Sequence, residues 1–306
     1  MSRRTSKKKP AGALTLGPVL YNWEPALWRD FYFRIADEAP VDTVVVGEVV
    51  CSKREPFFAP QIPKVVERLE AAGKEVVLAG LALVTNRREM ATLEELATDA
   101  AHVVEANDIA AIALLQGRPH DVGPHVNVYN EGTLAWLARR GARRVALPIE
   151  LSMAQIAAIA ARRGKAEIEV FAFGRAPLAL SARCYSARAR GLRKDNCQFV
   201  CAGLAQGMAL ETLDAKPFLV VNGTTTMSAT WIDLAAHVGA LRKAGVGRLR
   251  LSPEVVDMVA VARVFRGLLD GADPKAAQKA LASLAPQARF SDGFLRGTTG
   301  ADGLAA

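Results

Sequence analysis

Short apolar runs rich in Val, Ile, Leu and Phe recur along the chain at 15–20, 43–46, 76–83, 102–105, 125–128, 144–147, 168–173 and 248–251. Between them, apolar residues return every three or four positions, the spacing of one helix face, at 25–36, 62–72, 93–101, 109–115, 134–140, 154–162, 232–244 and 255–269. Gly73, Gly141, Gly164 and Gly245 each follow a last turn, where the left-handed cap favours glycine. Strands apolar on both faces, alternating with helices, predict an α/β protein whose parallel sheet is covered on both sides. Eight such units close a TIM-like (β/α)8 barrel. An open doubly wound sheet is the alternative, but no Gly-x-Gly-x-x-Gly follows the first strand.

The alternation fails once. Between the seventh strand, ending near Phe173, and a helix expected from about Ser228 lies an insertion holding three of the four cysteines. Its end reads as two strands, 208–213 and 218–221, around the turn Asp214-Ala215-Lys216-Pro217. Long βα loops build the active face of a barrel, so the insertion is a functional candidate. The chain divides into a basic disordered tail (1–10), a single barrel domain (11–285, insertion about 175–227) and a C-terminal tail (286–306), whose Gly-rich stretch from 291 is expected to fray.

Composition narrows the class. The 306 residues are 51% hydrophobic and 23% charged, enough for one large core and too apolar for disorder. Of a net charge of +8, Arg3, Arg4, Lys7, Lys8 and Lys9 sit in the tail, and Arg183, Arg188, Arg190, Arg193 and Lys194 in the insertion. The remainder is near neutral and aromatics are only 6%, so nucleic acid is not expected as a partner. Ser2-Arg3-Arg4 before an apolar run resembles an export signal, but Gly12, Gly17 and Pro18 interrupt that run and no small-residue cleavage site closes it. No run is long enough for a membrane span, and a cytoplasmic location is expected.

The cysteines carry the candidate chemistry. Cys184, Cys197 and Cys201 follow a C-x12-C-x3-C spacing, and Cys51 lies just past the second strand. In a barrel, loops after strands two and seven open at the same mouth, so four thiols can meet there. A reducing compartment argues against disulfides. Three readings stay open: an iron–sulfur cluster, zinc, or inert core thiols. Only Cys197 and Cys201 have the close pairing of a zinc knuckle. The long gap and distant fourth ligand suit a [4Fe–4S] cubane, whose negative charge the insertion's arginines would balance.

These residues also carry a resemblance. Phe173-Gly174-Arg175-Ala176-Pro177-Leu178, Ser181-Ala182-Arg183-Cys184-Tyr185 and Lys194-Asp195-Asn196-Cys197 with Cys201 resemble the signature of the peptidase U32 family. Gly47 to Arg54, Thr85 to Glu89, Gly123 to Asn130 and Asn222 to Ser228 extend the likeness over about residues 13 to 270. It is closest to the UbiV-like branch, which serves oxygen-independent ubiquinone biosynthesis. The resemblance implies a [4Fe–4S] cluster on Cys51, Cys184, Cys197 and Cys201. It also implies a heterodimer with a UbiU-like U32 partner, a UbiT-like lipid-binding accessory protein, and a quinone-precursor substrate hydroxylated without dioxygen, with prephenate implicated as oxygen source. Neither His-Glu-x-x-His nor Gly-x-Ser-x-Gly occurs, so peptidase activity is not expected.

Glu48, Asn86, Glu105, Asn107, Asn127, Asn130, Glu150 and Arg175 fall at strand ends, where they either line a pocket or cap and tether loops. Glu48 and Arg175 are the strongest candidates for a functional role. His102, His120, His125 and His237 are scattered and read as structural. Two further possibilities are a metal site that only pins the insertion for partner binding, and a U32-type hydroxylase acting on RNA.

Overall fold

The computed structural model describes residues 12–304. Seven strands alternate with helices: β1 (Ala13–Leu16), β2 (Thr43–Val46), β3 (Glu75–Ala79), β4 (Val103–Ala106), β5 (His120–Val122), β6 (Ala142–Ala146) and β7 (Glu167–Leu180). The chain then makes an excursion through β8 (Met208–Glu211), β9 (Pro217–Asn222) and β10 (Thr225–Asp233) before β11 (Arg248–Leu251) and β12 (Phe290–Ser291). Consecutive strands β1 to β7 pair parallel, and β11 closes the ring between β7 and β1, with Leu249 opposite both Val170 and Leu14. The result is the expected closed (β/α)8 barrel.

Helices cover the barrel for readable reasons. Glu24 caps helix Pro25–Glu38 by accepting the N–H groups of Ala26 and Leu27, and Pro25 occupies a position that needs no N–H donor. That helix buries Trp28, Tyr32, Ile35 and Ala36, one face at helical spacing. Helix Met258–Leu269 buries seven residues, Phe265 among them.

The barrel lumen departs from the usual aliphatic filling. Arg250 pairs with Glu105 and Glu169, and Thr15 Oγ1 donates to Glu169. One layer toward the N-terminal ends, Arg144 reaches Asp121 (2.8 Å), Glu75 (2.9 Å) and Glu167 (3.2 Å), while Arg248 binds Glu167 and Thr43. Buried charge is tolerated because each group meets an opposite one.

Several expectations need correction. The fifth strand is His120–Val122, not 125–128; Pro124 to Val126 form a short 3-10 turn and Asn127 is left-handed. The true strand hid because Asp121 points into the charged lumen and breaks the apolar run. The helix expected over 232–244 is strand β10 to Asp233, then a 3-10 turn and the short helix Val238–Lys243. Strand β7 runs past Phe173 to Leu180, and the helix expected from 93 starts at Arg87. Instead of fraying, the C-terminal segment pairs β12 beside β10 and adds helix Gly293–Arg296; helix Pro274–Leu284 was not anticipated. The basic tail over 1–10 lies outside the described residues.

Candidate functional site

Strand β7 carries the chain from barrel to site. Its first half is a barrel strand; at Gly174 (φ +110°) it leaves the ring, and its second half pairs antiparallel with β10. A Cβ at position 174 would lie 2.8 Å from Ser252 Cβ, so only glycine makes this exit. Strands β9 and β8 extend the outer sheet, and the expected hairpin forms across 211–217.

The β9–β10 turn ties this sheet to the mouth. Asn222 Nδ2 donates to Leu20 O (2.7 Å), and Thr224 Oγ1 donates to Val50 O (2.7 Å). Between them Gly223 (φ +65°) leaves room for Arg54, whose Nη2 lies 2.7 Å from where a Cβ would stand. Tyr185 N donates to Gly223 O, which fixes the helix turn that begins at Cys184.

Cys51, Cys184, Cys197 and Cys201 together line one tight hollow of about 10 Å³ at the C-terminal mouth. Cys51, Cys184 and Cys197 are buried; Cys201 is half-buried. Glu48 shapes the first loop, its Oε1 accepting from Val50 N (2.7 Å) and Cys51 N (2.9 Å). Lys53 Nζ donates to Asp195 O (2.6 Å), and Phe57 meets Phe199 edge to face, joining the Cys51 loop to the Cys197–Cys201 turn. Within that turn Gln198 (φ 49°) and Phe199 (φ 52°) are both left-handed, which costs about 1–2 kcal/mol each for side chains of this kind.

Arg54 lies beneath the hollow, 1% exposed. Its Nη1 donates to Leu20 O and its Nη2 to Asn222 Oδ1, both 2.8 Å, while Nε has no partner. Burial alone pulls this guanidinium down, but Glu48, Cys201 and Cys51 outweigh it and hold it above its ordinary value. Asn22 Nδ2 donates to Cys201 Sγ (3.4 Å). Burial pushes the Cys51 and Cys184 thiols up, so both are protonated at neutral pH until something displaces the proton. Among the described residues, no group of three or more His, Cys, Asp or Glu side chains stands in the arrangement that holds a single ion.

The sequence profile of peptidase family U32 matches residues 32–304. The chain belongs to peptidase family U32. It is also similar to a crystal structure provisionally assigned as a fructose-1,6-biphosphate aldolase, from Coccidioides immitis, at TM-score 0.42 and 10% identity over 90% of this chain and 89% of that one. The barrel of the U32 chain is defined by its own strand pairing, not by that likeness.

Other expected site residues of this U32 chain are dispersed. Arg175 faces the outer sheet, its Nη1 bonded to Ser228 O and Ala229 O and its guanidinium over Trp231. Asn86 and Asn130 cap helices Arg87–Thr98 and Glu131–Arg139. Glu105 and Asn107 turn into the lumen, Asn127 sits in its left-handed turn, and Glu150 accepts from Tyr129. His102 and His237 bond to Asp99 and Asp292, and His120 to Arg118 O; burial, helped by Arg250, lowers His125 to about 4. Arg54, Asn22 and Glu254 were not singled out from sequence. For Arg54 a signal existed, three residues after Cys51 in the quoted motif.

Proposed function

We propose that this U32 chain is the iron–sulfur subunit of a heterodimer that hydroxylates a quinone precursor without dioxygen. One observation carries the reading: four cysteines from two loops line a single hollow at the barrel mouth, over a buried arginine. The donor set suits such a cluster on chemical grounds. A lone zinc draws its ligands to about 2.3 Å, whereas a four-iron cluster takes each thiolate on a different iron, so its ligands ring a space. When bound, the cluster supplies one-electron chemistry that needs no dioxygen.

The chain's own residues prepare the place. Arg54 offers a fixed positive charge and a free Nε–H, and Asn22 directs an N–H at Cys201; both would steady thiolates once formed. Loading displaces thiol protons, so it weakens toward acid pH. Leu210, Leu213 and Phe218 on the exposed hairpin give a U32 partner an apolar foothold. The likeness of the cysteine motifs to the ubiquinone-synthesis branch supports the choice of pathway, with a lipid-binding accessory protein presenting the precursor.

The test is anaerobic purification with the partner, followed by metal and sulfide analysis. About four iron and four sulfide per chain are expected, and Cys197→Ala should remove them. A wild-type chain that binds zinc alone, or a Cys197→Ala variant with full iron, sinks the ligand assignment. Unchanged quinone synthesis in a strain lacking the chain and grown without air sinks the pathway.

A further inference from the structure

A second cavity, about 720 Å³, opens beside the cysteine hollow, with Cys184 in its wall. Lys53 and Arg88 stand on one side; Arg183, Arg188, Arg193 and Lys194 stand on the other. Only two carboxylates oppose these six cations, Glu89 and Asp195. Glu89 is already engaged: it accepts from Ser52 Oγ, Thr85 N and Thr85 Oγ1, with Lys194 at 3.9 Å.

Lys53 and Lys194 also line the cysteine hollow, where with Arg54 they can balance charge on the thiolates. That account leaves out Arg88, Arg183, Arg188 and Arg193. All four are exposed, and none makes an ion pair or a guanidinium hydrogen bond among the described residues. Arg183, Arg188 and Arg193 belong to one run and Arg88 to the first turn of helix Arg87–Thr98, yet all four line one concavity. Like charges held together repel, and a site that keeps them close is built for something that relieves the repulsion.

We infer that this cleft binds a small anion bearing at least two negative charges, as phosphate or carboxylate groups, beside the cysteine centre. Its volume falls within the ~300–1,000 Å³ of small-molecule sites. No aromatic side chain lines it, so it lacks the stacking platform of a single-stranded nucleic acid groove. Guanidinium groups grip phosphate and carboxylate by paired N–H donors, and several converging on one ligand favour multiple charge over single charge. The inference does not depend on iron; a chain that holds no metal and still binds the anion leaves it standing.

Calorimetric titration of the full chain with inorganic pyrophosphate, and separately with citrate, tests it at about 0.1 M salt. Saturable binding of one probe at a single site is expected, weakening as salt rises, and the stronger probe tells phosphate from carboxylate. The double variant Arg188→Gln/Arg193→Gln should lose about tenfold or more in affinity. Arg88→Gln, outside the cysteine segment, should lose affinity with the fold undisturbed, and Arg263→Gln on the far helix should change nothing. Failure of both probes to saturate overturns the inference, as does equal binding by the cleft variants. So does an RNA oligonucleotide or acidic peptide that binds more tightly than either probe and depends on the same arginines.

Discussion

Arginine plays opposite parts in the barrel lumen and in the cleft beside the cysteines. In the lumen, Arg144, Arg248 and Arg250 each meet carboxylates and are almost hidden from solvent. In the cleft, Arg88, Arg183, Arg188 and Arg193 are exposed and meet none. The same side chain therefore holds staves together in one place and waits for a counter-charge in the other. Pairing, rather than residue type or local charge density, separates architecture from chemistry here.

The strongest way to break that contrast is to remove a lumen arginine. Arg250→Ala strands Glu105 and Glu169 in a buried place and should cost about 3–5 kcal/mol by chemical denaturation. Replacing all three by apolar residues of similar volume should recover most of that loss; a triple variant as weak as the single would contradict the pairing argument. Gly223→Ala comes next. It combines a left-handed backbone with the approach to Arg54, so about 1–2 kcal/mol of stability should go, and with it much of the cluster loading proposed above.

A pH experiment sharpens the boundary between the regions. Burial above all, partly offset by the Arg175 N–H, raises Glu254 from an ordinary 4.5 to about 7. The folded chain keeps this proton more tightly than the unfolded one. Its contribution is therefore complete below 4.5 and is withdrawn as pH climbs from 4.5 to 7. Melting curves of Glu254→Gln should lack that decline, so the gap between variant and parent should widen in the variant's favour with rising pH. A constant gap would mean that folding leaves the proton affinity of this carboxyl unchanged. Smallest is Arg188→Gln, which should move stability by no more than about 0.5 kcal/mol, in contrast to its effect on anion binding.

Much of the barrel was legible because helices with one apolar face and strands with two announce themselves. The failures are local and physical. His120 to Val122 is too short and too polar to register, since its Asp121 is satisfied only by Arg143 and Arg144 from the next strand. Strand β10 resembles a helix start because Trp231 and Ile232 are read without knowing that Arg175 and Gly174 lie opposite. The gathering of Cys51 with the other three thiols followed from counting loops around a ring. The cleft did not: the run from Arg183 to Lys194 shows one wall, but Lys53 arrives from the Cys51 loop and Arg88 from the first turn of helix Arg87–Thr98.

Strand β7 spans fourteen residues and belongs to two sheets at once. The bend at Gly174 is buried and paired with Ile232, so the outer sheet is tied to the barrel wall by the strand itself rather than by a loop. Any graft of this centre onto another scaffold would have to transplant a stave along with it, and any load applied at the hairpin tip would be felt directly in the barrel wall.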